Sequence, residues 1–202
     1  MRSITIKNLK KKYKDVHVFN DFNTTILSGK RNYLVGVSGS GKTTLLRIIS
    51  GLEDYEGEII RDEDTRFSMV FQADRLIENL SVYENLDLVN HNKYDREYVK
   101  DELFKIGLEN LIDKKVRELS GGMKRRVAIL RSLLIDADIY LLDEPFKELD
   151  VDSYRLCINY FLTKTKGKTV IMTSHNKEEI AELSENNIII SKMEYEIQGV
   201  KL

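Results

Sequence analysis

Apolar and polar positions alternate at the start of the chain. Residues 3–7 (SITIK) and part of 16–26 follow a period of two, the pattern of half-buried strands, and predict a small antiparallel sheet. Further on, short and nearly unbroken apolar runs at 32–37, 57–60, 66–71, 139–143, 169–174 and 187–191 read as strands. Between them the spacing becomes helical. A helix is predicted over 42–50, closed by Gly51, and others over 151–164 and 177–183. The segment 81–119 is helical in character: Ser81 and Glu84 stand at capping-box spacing, and Asp95 can cap a helix reaching to about 106. Ser120 opens another helix, in which Met123, Val127, Leu130 and Leu134 form one apolar face.

Strands that are apolar on both faces and alternate with helices imply a largely parallel sheet covered on both sides. The expected architecture is therefore α/β and one domain over 1–202. It has an N-terminal antiparallel β-subdomain and a helical subdomain inserted at about 73–135. The tail YEIQGVKL, 195–202, is expected to add a final strand or hairpin.

Composition narrows the partners. The chain has 202 residues, and its 32 basic and 33 acidic side chains leave a formal net charge of -1. A nucleic-acid partner would call for a basic excess, so none is expected. Cys157 is the single cysteine. It excludes an intrachain disulfide and a thiolate metal cluster, and its setting, RLCINYF, reads as core packing in a reducing compartment. No apolar run is long enough to span a bilayer, and the first residues lack a signal-peptide pattern. The expectation is a cytoplasmic protein, held at a membrane only through a partner. Pro145 is the sole proline, and no Ser/Gly/Pro-rich linker or repeat divides the chain.

Two stretches carry candidate chemistry. Gly36-Val-Ser38-Gly39-Ser40-Gly41-Lys42-Thr43-Thr44 lies between a predicted strand and a predicted helix and matches the phosphate-binding loop pattern. Its glycines permit positive φ and close approach, its N–H groups and the helix N-terminus can face phosphate oxygens, and Lys42 adds a movable cation. Thr43 offers a hydroxyl to Mg²⁺. The ligand expected is a nucleoside triphosphate, ATP or GTP. At the end of the strand 139–143, Asp143 and Glu144 place two carboxylates side by side. Asp143 is expected to reach the Mg²⁺ shell, partly through water. Glu144 is the candidate to orient or deprotonate an attacking water.

With Leu119-Ser120-Gly121-Gly122-Met123 added, the chain resembles an ABC-type ATPase, the nucleotide-binding subunit of ATP-binding cassette transporters, over nearly its whole length. The resemblance implies a P-loop NTPase fold of the ABC type, with ATP and Mg²⁺ as ligands. It implies that Ser120, Gly121 and Gly122, the head of a helix, meet the γ-phosphate held by an opposite subunit. Gln72 resembles the Q-loop glutamine near Mg²⁺ and water, Asp150 the D-loop aspartate, and His175 the switch histidine. Tyr13 stands where the adenine-stacking aromatic is found, with Val18 beside it. Glu144, His175 and Gln72 are then the catalytic set, and Thr43, Gln72 and Asp143 the metal set.

The implied active form is a head-to-tail pair of identical subunits, bound to a separately encoded integral membrane partner that docks near residues 72–90. Leu76, Ile77, Leu80 and Val82 read equally as that docking groove or as subdomain core. Met123 departs from the glutamine that many relatives carry there. The chain stops soon after the last predicted strand, which is expected to leave no room for an appended regulatory domain. A soluble, non-transport ATPase acting as a mechanical clamp, or a regulatory subunit, is the alternative function.

Overall fold

The computed structural model describes residues 3–90 and 93–191. Two sheets form. The N-terminal one is antiparallel, in the order β2-β1-β4, from β1 (Ile4–Tyr13), β2 (Val16–Ile26) and β4 (Glu56–Ile60). The other is parallel throughout, in the order β5-β6-β7-β3-β8. Its strands are β3 (Arg31–Val35), β5 (Phe67–Val70), β6 (Ile139–Asp143), β7 (Thr169–Thr173) and β8 (Asn186–Ile189). Helices α1 (Lys42–Ile49), α2 (Val82–Asn90), α3 (Arg96–Lys105), α4 (Gly121–Leu134), α5 (Val151–Lys164) and α6 (Lys177–Leu183) fill the connections.

The pleat of β6 shows how the layers are made. Ile139 and Leu141 face a core shared with α1 and the antiparallel sheet, where Leu45, Ile49, Ile6 and Phe19 are buried. Tyr140 and Leu142 face the opposite core, built with α2 to α5 around Leu86, Leu103, Leu130 and Phe161. Both faces of the strand are apolar because both are covered.

The capping signals act as read. Glu84 N–H donates to Ser81 Oγ at 3.1 Å while Ser81 N–H donates to Glu84 Oε2 at 2.7 Å. Asp95 accepts from Tyr98 N at 2.8 Å. Met123 N–H donates to Ser120 Oγ at 3.3 Å, and the helix behind it buries Val127, Leu130 and Leu134. Cys157 is buried in α5, and burial pushes its thiol up to about 12.

Several boundaries differ from the expectation. β1 runs on to Tyr13 rather than ending at Lys7. Its lysine-rich half hides the strand, since one side faces solvent and the register shifts at Asn8, which has φ 50°. β3 ends at Val35, so that Gly36 and Val37 already belong to the following loop, and β8 ends at Ile189 instead of Ser191. The region 106–119 is a chain of turns with one short 3-10 segment, Val116–Glu118, pinned by Val82 N–H to Lys114 O and Val116 N–H to Leu80 O. The expected tail strand lies outside the described residues.

A buried ion cluster ties α3 to α5. Glu102 accepts from Lys164 Nζ at 2.7 Å, from Lys105 Nζ at 2.8 Å and from the Tyr160 hydroxyl. Burial alone would raise its carboxyl. The bonds from Lys105, Lys164 and Tyr160 outweigh burial and hold it below the usual carboxylate range. A depressed carboxylate stabilises the fold fully above its unfolded pKa of about 4.3 and loses that contribution as pH falls through the lower folded value. Glu102→Gln is therefore expected to lower the melting temperature by roughly 3–10 °C at pH 7. Thermal scans should show that gap closing as pH drops below the carboxylate range.

Candidate functional site

The site lies where β3, β6 and β7 end together at the C-terminal edge of the parallel sheet, the usual place for ligands in such folds. The loop 36–41 leaves β3 and turns into α1. Gly41 caps that helix with φ 103°, a conformation open to glycine, and a Cβ there would come within 2.6 Å of Val18 Cγ1. Gly36 is constrained from the other side, where a Cβ would meet Ile190 O at 2.4 Å. Ser40 Oγ is buried and has no hydrogen-bond partner among the described residues, so the loop holds a polar atom with bonding capacity to spare.

Lys42 turns its buried ammonium back over the loop, donating to Gly36 O at 2.8 Å and Val37 O at 2.9 Å. Beside it Thr43 Oγ1 donates to Asp143 Oδ2 at 2.8 Å, and Thr173 Oγ1 donates to Asp143 Oδ1 at 2.8 Å. Asp143 is thereby fixed at both oxygens, at the end of β6. Glu144 follows with φ 49°, a strained angle for a residue with a Cβ. Its N–H donates to Thr173 Oγ1 at 2.9 Å, and its Oε1 lies 2.8 Å from His175 Nε2. Lys147 Nζ approaches the other carboxylate oxygen at 3.6 Å.

Lys42, Thr43, Asp143, Glu144 and His175 border one open cavity of about 260 Å³. Ser38, Gly39, Gly41, Lys42, Thr43 and Thr44 line it from the loop, and Val18, Gln72, Asp143, Glu144 and His175 from other elements. The order along the chain therefore converges in space. Tyr13 does not line this cavity. It ends β1 half-exposed, with Lys11 Nζ 4.9 Å from its ring centre.

Ser120, Gly121 and Gly122 do not line it either. Gly121 borders a neighbouring cavity of about 270 Å³ with Gln72, Asp74, Arg125 and Lys147. Asp150 caps α5, and Ser153 N–H, donating at 2.9 Å, holds its carboxyl below the usual range. Of the four apolar residues with two readings, Val82 is core and Leu76 packs against that core, whereas Ile77 is exposed and Leu80 half-buried.

Three contributors were not singled out from the sequence. Thr173, the last residue of β7, bridges Asp143 and Glu144. Its only signal is a hydroxyl at the end of an apolar run. Lys147 stands beside Glu144 in the turn after β6. Arg125 is buried under that turn, and its partners include Asp143 O and Glu144 O.

The family model described as "ABC transporter" matches residues 19–147. The maltose/maltodextrin import ATP-binding protein MalK of Mannheimia succiniciproducens is 34% identical, the alignment covering 95% of this chain and 56% of that protein. The sulfate/thiosulfate import ATP-binding protein CysA of Escherichia coli K12 is also 34% identical, over 94% of this chain and 58% of its own length. This chain thus spans little more than half of those two relatives. The aliphatic sulfonates import ATP-binding protein SsuB of Bacillus anthracis, 36% identical, is covered over 78% of its length and covers 92% of this chain. A solved dimeric bacterial ABC transporter cassette superposes with a TM-score of 0.81 at 30% identity, covering 94% of each chain.

Replacing Gly41 by alanine forces a Cβ into a positive-φ position against Val18 and Phe19. The expected loss is about 1–3 kcal/mol of folding stability, measured as a lower urea midpoint with an unchanged m-value.

Proposed function

The chain belongs to the ABC transporter family, and from that premise we propose that it binds and hydrolyses ATP to energise transport through a separately encoded membrane protein. The observation that carries the reading is the meeting of the phosphate loop, Asp143, Glu144 and His175 around one cavity. Lys42 is already placed to exchange two loop carbonyls for β- and γ-phosphate oxygens. The loop N–H groups supply further donors. Thr43 and Asp143 are the residues that would hold Mg²⁺, with phosphate oxygens and water completing its shell. A Mg²⁺ held by these residues would supply neutralisation of the charge that develops on the transferred phosphoryl group. Gln72 at the cavity edge would reach that shell and the attacking water.

Glu144 is the general base or water-orienting group. Its strained backbone aims the carboxylate into the cavity, and His175 holds one of its oxygens. A neutral imidazole can accept at one nitrogen while it donates at the other, which suits a sensor of the γ-phosphate. Tyr13 and Val18 would form the base-binding side.

Ser120, Gly121 and Gly122 sit at an exposed helix head away from their own phosphate cavity. A second copy, turned head to tail, would bring them to the γ-phosphate as an anion seat. The solved neighbour described as dimeric supports the pairing of two copies. Loss of the γ-phosphate on hydrolysis removes those contacts and lets the pair separate, a ligand-driven population shift. The membrane partner docks near 72–90, where Ile77 remains exposed. No helix among the described residues is long and apolar enough to cross a membrane. The relatives named above all serve import, which favours uptake as the direction.

Two variants test this reading. Lys42→Ala is expected to weaken nucleotide binding about ten- to hundredfold, the loss of charge-assisted bonds worth roughly 1.5–3 kcal/mol. Glu144→Gln should bind nucleotide normally, hydrolyse it about 10²–10⁴-fold more slowly and sediment as a dimer in Mg-ATP. Hydrolysis by Glu144→Gln at the parent rate would overturn the assignment of the base.

A further inference from the structure

Arg125 lies on α4, five residues beyond Ser120, and its side chain is almost wholly enclosed, 8% exposed. Its guanidinium reaches two separate segments. Toward the turn after β6, Nε donates to Pro145 O at 2.7 Å, and Nη2 donates to Asp143 O at 3.0 Å and Glu144 O at 2.7 Å. Toward the loop after β5, Nη1 donates to Phe71 O at 2.7 Å and Asp74 Oδ1 at 3.0 Å, with Gln72 O at 3.4 Å. Five of the six acceptors are backbone carbonyls, so what Arg125 holds in place is main chain.

The consequence is sharpest at Glu144. A non-glycine residue at φ 49° costs about 1–3 kcal/mol and persists only where its surroundings over-determine it. Here the peptide groups on both sides are pinned: the N–H by Thr173 Oγ1 and the C=O by Arg125 Nη2. Without the guanidinium, the Glu144 carbonyl keeps only the longer bond from Lys147 N–H at 3.2 Å, and the turn can relax, rotating the carboxylate away from His175. The same loss frees the Phe71–Asp74 loop, which Arg131 also steadies through Asp74 O at 3.0 Å and Arg75 O at 2.9 Å.

We infer that Arg125 is a positioning residue for hydrolysis, one that braces the Gln72 loop and the strained Glu144 turn against a single helix, so that the two move together. The inference rests on the proposed ATPase function and deepens it. A disturbance of the Gln72 loop is passed to the Glu144 main chain through one rigid, planar fork. Lysine cannot reproduce it, because one ammonium cannot span two segments.

The test uses the full chain and the variants Arg125→Gln, Arg125→Lys and Asp74→Asn. Four quantities are read: nucleotide affinity, kcat, hydrogen exchange of 144–147, and the rate of tryptic cleavage after Arg75 relative to other sites. Arg125→Gln should leave affinity within about threefold, lower kcat at least about tenfold, and speed both exchange at 144–147 and cleavage after Arg75 several-fold. Arg125→Lys should recover less than half of the lost kcat. Asp74→Asn leaves the bonds to 143–145 intact, so it should speed cleavage after Arg75 with little change in exchange at 144–147.

Parent-like kcat and exchange in a folded Arg125→Gln protein overturn the inference, as does a loss of kcat matched by an equal loss of affinity. If Arg125→Gln does not fold, Asp74→Asn decides, and parent-like cleavage after Arg75 overturns the bracing. A parent chain that hydrolyses no ATP defeats the proposed function instead, and the exchange and cleavage comparisons then judge the bracing on their own.

Discussion

The site depends on one buried carboxylate. Asp143 ends β6 with one oxygen held by Thr43 from the first turn of α1 and the other by Thr173 from the end of β7. A buried carboxylate is costly unless hydrogen-bonded, and each of the two oxygens is answered here by a hydroxyl that a neighbouring element delivers. That requirement fixes three strand or helix ends relative to one another. It only works because the sheet is parallel: β3, β6 and β7 all finish at the same edge. The phosphate loop, the carboxylates and His175 are then neighbours by topology, although more than a hundred residues separate Lys42 from His175.

Around that anchor the chain distributes rigidity unevenly. Gly36 and Gly41 are hemmed in by Ile190 O and Val18, so the phosphate loop has little freedom of its own. Glu144 is strained and pinned. Ser120, by contrast, caps an exposed helix head whose first turn meets no crowding, since a Cβ at Gly121 would find nothing within 4 Å. On the proposed pairing, the interior half of the nucleotide seat is thus rigid and the half offered outward is open to a second copy. A subunit that works by closing onto another copy needs that division.

Much of this is legible in the sequence, for identifiable reasons. Period-two alternation, unbroken apolar runs and cap residues act locally, and they locate β2, β6, β7, α3 and α4 without reference to anything distant. The spacing of Gly36, Gly41, Lys42 and Thr43 is itself local, and so survives reading from one strand of text. What resists reading is tertiary choice. Lys124, Arg125 and Arg126 are three consecutive cations, yet they diverge: Lys124 pairs with Glu78 at the surface, Arg125 plunges inward, and Arg126 donates to Ile106 O and Gly107 O behind α3. No periodicity in the sequence assigns those destinations, since each depends on which acceptors the rest of the fold leaves unmet. The lysine-rich half of β1 is obscured similarly, because its pairing with β2 and not its composition makes it a strand. The residues 76–82 divide between core and surface one by one, which a shared apolar character cannot foretell.

The sealed thiol of Cys157 has a practical corollary. A sulfur enclosed by α5 and its neighbours, with its proton held more tightly than usual, reacts slowly with maleimides and spin labels. The natural chain is thus close to a blank background for site-directed spectroscopy. A cysteine engineered at an outward position of the glycine-led helix would carry essentially all of the signal, and distances between such probes could follow two copies approaching and parting in real time.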